Sequence, residues 1–258
     1  MSAPETPMLE LRGVRKAFGQ KVVLDSVDIP VARGRSLVII GGSGQGKSVT
    51  IKIAIGLMAP DAGQVFVDGE DTANLTSAAD RARHNARFGM LFQGAALFDS
   101  LTIWENVAFR LINADKVPRK EARERAIEAL ARVGLPASVA NLYPIELSGG
   151  MQKRAGLARA VVAAPQIIFF DEPTTGLDPI NADVINDLIV EQVKRLGCTA
   201  VSITHDMASA RKIGDEIAML HKGKIVWRGP AADIDHSGNA YVDQFVHGRA
   251  EGPIRVEV

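Results

Sequence analysis

Cysteine is almost missing from this sequence: Cys198 is the only one among 258 residues. No disulfide can form within the chain, which fits a reducing compartment. Net charge is missing too. Thirty Lys and Arg balance thirty Asp and Glu, so no global field draws in nucleic acid or anionic lipid, and any anion has to be gripped by a local site. No stretch approaches the ~20 consecutive apolar residues of a membrane span. The N-terminus, "MSAPETPMLELRG", lacks the charged start and apolar stretch of a secretory signal. Internal repeats and low-complexity tracts are also absent. Together these absences predict a cytoplasmic protein, or one held at a membrane only through a partner. What is present is apolar content: 47% of the residues, enough for the core of one large domain or two modest ones. Cys198 lies in one such run, "CTAVSIT", and reads as a buried strand thiol.

β-rich runs open the chain at "MLELRGV", "VVLDSVDIPV" and "SLVII". The unbroken apolar character of the last suits a strand covered on both faces. A helical pattern follows through "SVTIKIAIGLM", then strands at "GQVFVDG" and "FGMLF" separated by a polar, Arg-rich helix from about 78 to 87. Residues 94 to 164 hold no strand pattern; "TIWENVAFRLI", "RKEARERAIEALARVG" and "GGMQKRAGLARAVVA" place apolar residues at helical spacing. This predicts a helical insertion in an α/β domain. Strand patterns return at "QIIFFDEP", "TAVSITHD", "EIAMLHKG" and "KIVWRG". A helix from about 180 to 196 puts Val184, Ile185, Leu188 and Ile189 on one face. Alternating strands and helices imply a parallel sheet. Beyond Gly229 the chain turns mixed and polar, with a short helix predicted at "NAYVDQFVHG".

Gly41, Gly46, Lys47 and Ser48 complete the spacing G-x-x-x-x-G-K-[ST], with a strand before and a helix after. Such a loop turns its backbone N–H groups toward a phosphate. The helix N-terminus adds a favourable dipole, a lysine reaches the outer phosphates, and the hydroxyl can ligate Mg²⁺. Downstream, "IIFFDE" ends on two carboxylates, Asp171 to orient the Mg²⁺ shell and Glu172 to face an attacking water. Adjacent positions on a strand point to opposite sides. Between the two motifs, "LSGGMQ" offers Ser148 as a helix N-cap and Gly149 and Gly150 as exposed N–H donors, a second anion site. One nucleotide does not need two cradles.

In this order, "GGSGQGKS", "LSGGMQ", "DEPTTGLDP" and "ITHD" resemble the motifs of ABC ATPases, and the resemblance spans essentially the whole chain. It implies a P-loop α/β fold with a mixed sheet core, an N-terminal antiparallel β subdomain and an inserted helical subdomain. The cassette would occupy residues 8–229, and residues 230–258 would form an extension for dimer or partner contact. It implies a head-to-tail homodimer, in which the signature residues Ser148, Gly149, Gly150, Met151 and Gln152 close over ATP held by the other copy's loop. By the same resemblance Gly41, Gly42, Ser43, Gly44, Gln45, Gly46, Lys47, Ser48 and Val49 hold ATP, and Phe18 stacks on its adenine. Ser48, Gln93 and Asp171 would hold Mg²⁺. Glu172, His205 and Gln93 would be catalytic, and Asp178 would lie in the loop that crosses the dimer. Val49 departs from the pattern, since many relatives carry a second hydroxyl there, and Thr50 is not assumed to replace it. His84, His221, His236 and His247 match no motif and are expected at the surface.

Long coiled coils and paired cassettes are absent, so the simplest ABC role for a single cassette is the motor of a multi-subunit transporter. "GMLFQGAALFDSLTIWENVAF" and "YVDQFVHGRAEGPI" resemble the ATPases of Mla-type, MCE-coupled phospholipid transporters. The expected partners are then two permease chains, an MCE-domain protein and a possible STAS-domain subunit, with phospholipid as cargo and the cytoplasmic face of the bacterial inner membrane as location. Two other readings stay open: the motor of an amino-acid or ion importer, and a nucleotide-dependent regulatory module that does not transport. Glu172 and His205 disfavour the second, because a pure binding module needs neither a base nor a switch.

Overall fold

The computed structural model describes residues 6–255 and divides the chain into two compact units. The first comprises residues up to 85 together with those from 199 onward, and the second comprises residues 86–198. The last three residues of the extension expected over 230–258 lie outside the described residues. The first stretch holds β1 (Leu9–Phe18), β2 (Lys21–Val31), β3 (Ser36–Ile40), α1 (Lys47–Ala54), β4 (Ala62–Val67), β5 (Glu70–Asp71) and α2 (Ala78–Asn85). The second unit holds β6 (Phe88–Leu91), α3 (Ile103–Asn113), α4 (Arg119–Arg132), α5 (Gly149–Val161), β7 (Ile167–Asp171) and α6 (Pro179–Leu196). The chain then returns to the first unit through β8 (Thr199–Ile203), α7 (Met207–Ile213), β9 (Glu216–His221), β10 (Lys224–Pro230) and α8 (Ala240–Val246).

The first unit contains an antiparallel sheet in the order β2, β1, β4, β5. Its period-two alternation buries Leu9 and Leu11 on β1 opposite Val31 and Ile29 on β2, the pattern of a sheet with one covered face. The same unit holds mixed pairing around β3, which lies parallel to both β8 and β9, with β10 antiparallel on the far edge of β9. Leu37, Val38, Ile39 and Ile40 are all buried, as the unbroken apolar run predicts. Cys198 is buried as expected; burial pushes its thiol up to about 11, so it is not a reactive group.

In the second unit β6 and β7 form a parallel pair, and α3, α4 and α5 pack on one another. Helix α4 contributes Ala122, Ala126, Ala129 and Leu130, an i, i+4, i+7, i+8 apolar stripe whose three alanines let the helices approach closely. Helix α3 begins with a capping box in which Glu105 reaches back to Thr102. On α6 the buried stripe runs through Ile185, Asn186, Ile189, Gln192 and Val193, whereas Val184 and Leu188 are only half covered. The face is thus rotated from the one expected. Gln192 decides this: its amide donates to the Arg132 carbonyl at 3.3 Å while its oxygen accepts from Arg195 at 2.8 Å, so a polar residue is satisfied inside.

Two of the four histidines expected at the surface are buried. His84, on α2, lines a 440 Å³ cavity with Ile53, Met58 and Val65. His221, at the end of β9, lies with its ring centroid 5.0 Å from that of Tyr241 on α8. An imidazole presents apolar faces as well as polar nitrogens, and the residues that cover these two faces come from other elements.

Candidate functional site

In the first unit the glycine loop leaves the buried end of β3 and enters α1. Gly41 (φ +148°) passes so close to the next strand that a Cβ would sit 2.3 Å from the Leu220 carbonyl oxygen. Gly46 (φ +103°) starts the helix, and a Cβ there would lie 2.8 Å from Leu24 and 2.9 Å from the Val23 carbonyl. Both positions require glycine for shape as well as for backbone angle. Among the described residues no side chain caps α1, and a helix N-terminus favours an anion. Lys47 folds back over the loop, its Nζ donating to the Gly41 carbonyl at 2.7 Å and the Gly42 carbonyl at 2.9 Å, and it is buried. Thr50 turns inward, its hydroxyl donating to the Gly46 carbonyl at 3.1 Å, so it does not stand in for the hydroxyl missing at Val49. Gln45 accepts from the Lys222 N–H at 2.5 Å and pins the loop to the turn after β9.

A cleft of 610 Å³ opens along Gly42, Ser43, Gly44 and Gln45, with Lys21, Lys222 and Arg255 among its other lining residues. A chain with no net charge therefore gathers cations where a polyanion would lie. Phe18, at the end of β1, is 49% exposed with the Lys16 ammonium 5.8 Å from its ring, an open aromatic face and not a core residue. His205 follows β8 and is exposed. The register Ile39↔Ile203 between parallel strands brings its loop and the glycine loop out at the same end, where ligands bind in such sheets. Asp206 caps the following α7 by accepting from the Ala208 and Ser209 N–H groups.

In the second unit the parallel register Leu91↔Phe170 brings Gln93 and the Asp171–Glu172 pair out beside each other. Glu172 has a left-handed backbone (φ +49°), and its Oε2 accepts from the Thr175 hydroxyl at 3.1 Å. Ser148 caps α5, its Oγ accepting from the Met151 N–H at 3.3 Å. Around the Cβ position of Gly149 there is nothing within 4 Å, while at Gly150 a Cβ would meet Asn181 Oδ1 at 3.6 Å, so the start of this helix is open at its first residue. Gln152 is turned away from it, donating to the carbonyls of Pro144 and Leu147. Asp178 caps α6 and accepts from the Asn181 amide at 2.5 Å, a bond that holds its carboxyl below the usual range. Ile180 beside it is 78% exposed.

The structure thus sorts the expected residues into two sets. Phe18, residues 41–49 and His205 belong to the first unit; Gln93, Ser148 to Gln152, Asp171, Glu172 and Asp178 belong to the second. Sequence reading missed three polar residues. Lys153 and Arg159 on α5 donate to backbone carbonyls of the loops around Gln93 and Glu172. Asn106 on α3 is fully buried and makes four hydrogen bonds, from the Phe98 N–H and to the carbonyls of Phe98, Leu101 and Thr102. A signal for Lys153 existed: it stands in helical register, i, i+4, i+7, with the buried Leu157 and Ala160.

Residues 24–175 match the ABC transporter family profile. The chain is 40% identical over 264 residues to the protein trigalactosyldiacylglycerol 3, chloroplastic, of Arabidopsis thaliana, covering 96% of this chain and 76% of that one. It is 34% identical over 248 residues to the intermembrane phospholipid transport system ATP-binding protein MlaF of Haemophilus influenzae, covering 96% and 93%. The methionine import ATP-binding protein MetN of Caulobacter vibrioides is 40% identical over 250 residues, covering 96% and 74%. Among solved structures, the dimeric post-hydrolysis state of the ATP-binding cassette MJ0796 with ADP and Pi superposes with a TM-score of 0.79 at 33% identity, over 87% of this chain and 99% of that one.

Proposed function

The chain belongs to the ABC transporter family and is an ATPase of that family, and we propose that it drives a transporter moving phospholipid across or between bacterial envelope membranes. The glycine loop and Lys47 take the phosphates of ATP, with Phe18 stacked on the adenine. The uncapped α1 and the cation-lined cleft support this reading. Ser48, Gln93 and Asp171 offer the hard oxygen donors that Mg²⁺ takes, and the ion would neutralise charge on the phosphate oxygens. Glu172 accepts the proton of the attacking water and His205 contacts the γ-phosphate. Ser148 to Met151 and Asp178 serve the nucleotide of a second copy, whereas Gln152, turned toward the carbonyls of Pro144 and Leu147, does not. The open space at Gly149, where no atom of the described residues comes within 4 Å of a Cβ, and a dimeric solved relative support that trans role.

The observation that supports the lipid reading is that two relatives named for lipids, MlaF and the trigalactosyldiacylglycerol 3 protein, match through 96% of the chain, and that the match takes in 93% of MlaF against 74% of MetN. The rival, amino-acid import, rests on the equal identity to MetN. The partners in the lipid reading are two permeases, an MCE-domain protein and a possible STAS-domain subunit, with the ATPase peripheral at the cytoplasmic face of the inner membrane. Among the described residues no helix is long and apolar enough to cross a membrane. Copurification of the native complex followed by reconstitution decides the cargo. Phospholipid-dependent stimulation of ATP turnover and lipid transfer between vesicles are expected; stimulation by methionine with a solute-binding partner would select the rival.

The surface for the permease lies after Gln93. Asn106 fixes the 98–102 turn, and Phe98 (46% exposed) stacks on Phe109 at 4.7 Å to form an apolar step. Trp104, in the same stretch, is buried, with the Arg119 guanidinium 5.1 Å from its ring. The two positions should therefore separate. Phe98→Asp is expected to reduce permease copurification severalfold with an unchanged melting temperature. Trp104→Ala should cost about 3 kcal/mol of stability, the low end for an aromatic truncated in a core. Measuring melting and copurification in both variants checks this, and a Phe98→Asp protein that still binds permease fully would contradict it.

A further inference from the structure

Helix α5 aims two cations at backbone carbonyls in the motif loops of its own unit. Lys153, 7% exposed, donates from Nζ to the carbonyls of Gln93 and Glu172, the latter at 3.4 Å. Less than two turns further on, Arg159 donates from Nη1 to the Ala96 carbonyl at 2.6 Å and from Nη2 to the Ala95 carbonyl at 2.5 Å. Three of these four acceptors are non-glycine residues with left-handed backbone: Ala95 at φ +59°, Ala96 at +49° and Glu172 at +49°. Such conformations are unfavourable in L-residues and persist only where the surroundings hold them. Burial pulls the pKa of both cations down, opposed at Lys153 by Glu172 and Asp171. Placing a cation there is therefore costly unless its hydrogen bonds are made, and here they are made to strained turns.

We propose that Lys153 and Arg159 are positioning residues for ATP hydrolysis, holding Glu172 and the turn after Gln93 in register with the helix that begins at Ser148. The ammonium acts as a two-carbonyl staple at the first turns of α5, and the guanidinium fork is a second staple near its end. Helix α5 cannot shift along its axis without pulling on the backbone of Glu172 and of Gln93, so the open N-terminus at Ser148 to Gly150 is mechanically tied to the base. This rests on the reading of Glu172 as the general base.

The test uses the full chain, assembled with its partners, with Lys153→Met, Lys153→Arg, Arg159→Lys and Glu172→Gln measured side by side. Lys153→Met keeps the apolar stem and deletes the donors. It is expected to lower kcat by ~10- to 100-fold, the scale of a small misplacement of a reacting group, with the KM for ATP within about threefold of wild type because the glycine loop is untouched. Lys153→Arg, still a cationic donor, should restore most of the loss. Arg159→Lys, with one ammonium in place of a fork, should lose about tenfold in kcat at the same KM. Wild-type kcat in Lys153→Met and Arg159→Lys would overturn the proposal. So would parallel losses of kcat and nucleotide affinity that Lys153→Arg fails to restore. If Lys153→Met does not fold, Arg159→Lys decides by the same split. The control separates the two ideas: inactive Glu172→Gln with normal Lys153→Met sinks the staple alone, whereas normal turnover in Glu172→Gln sinks the base itself.

Discussion

Glu172→Gln is expected to slow ATP turnover by ~10²- to 10⁴-fold, the usual worth of a positioned general base, while nucleotide affinity stays close to wild type. The amide has nearly the shape of the carboxylate and can still accept from the Thr175 hydroxyl, which now meets Glu172 Oε2 at 3.1 Å. The backbone strain at φ +49° is unchanged by the substitution. What disappears is a group able to take a proton from water. Binding without turnover should also accumulate the closed dimer, so size measurement with Mg-ATP is expected to show a dimer that wild type holds only transiently. Phosphate-release kinetics combined with equilibrium nucleotide binding check the first part. Turnover within threefold of wild type would remove Glu172 from the mechanism.

Lys47→Ala should have the other large effect, and on binding first. The ammonium is buried and held by the carbonyls of Gly41 and Gly42 at 2.7 and 2.9 Å, so it is already positioned for an anion before one arrives. A hydrogen bond to a charged group is worth about 1.5–3 kcal/mol. At tenfold per 1.4 kcal/mol, losing one contact weakens ATP binding by roughly 10- to 100-fold, and turnover at subsaturating ATP falls at least in proportion. The fold should survive, because the glycine turns are set by backbone packing against Leu220, Leu24 and Val23 and not by the lysine. Calorimetric titration with a non-hydrolysed ATP analogue, alongside a thermal melt, measures both. Unchanged affinity in a folded protein would show that the loop N–H groups alone suffice.

Much of the site was legible because its signals are local. The phosphate loop spans eight residues whose spacing, glycine content and strand-to-helix context all act within a few bonds of one another, and Ser148 and Asp178 cap the helices that immediately follow them. The ends of β3, β7 and β8 were readable from apolar runs for the same reason. The second glycine stretch was readable as an anion site, but the trans role proposed for it has no local signal, since no local rule says whose nucleotide such a stretch would meet.

Contacts between residues distant in the chain were decided by packing alone. β3 lies beside β8 although some 160 residues separate them, and Lys153 reaches Gln93 across 60 residues. A lysine or arginine on a helix is expected in water, so nothing but the tertiary structure could turn Lys153 and Arg159 inward to strained turns. The same holds for Trp104 under Arg119, His221 under Tyr241, and the tail, where the Gln244 side chain accepts from the Ile254 N–H at 2.7 Å and donates to its carbonyl at 3.0 Å, folding the end of the extension back on α8. Sequence by itself determined which segments carry the glycine turns, the helix caps and the carboxylates, through the short-range geometry of glycines, caps and periodic apolar faces. Tertiary structure decided which charged and aromatic side chains are buried to hold those segments in place, because burial depends on what the rest of the chain brings against each residue.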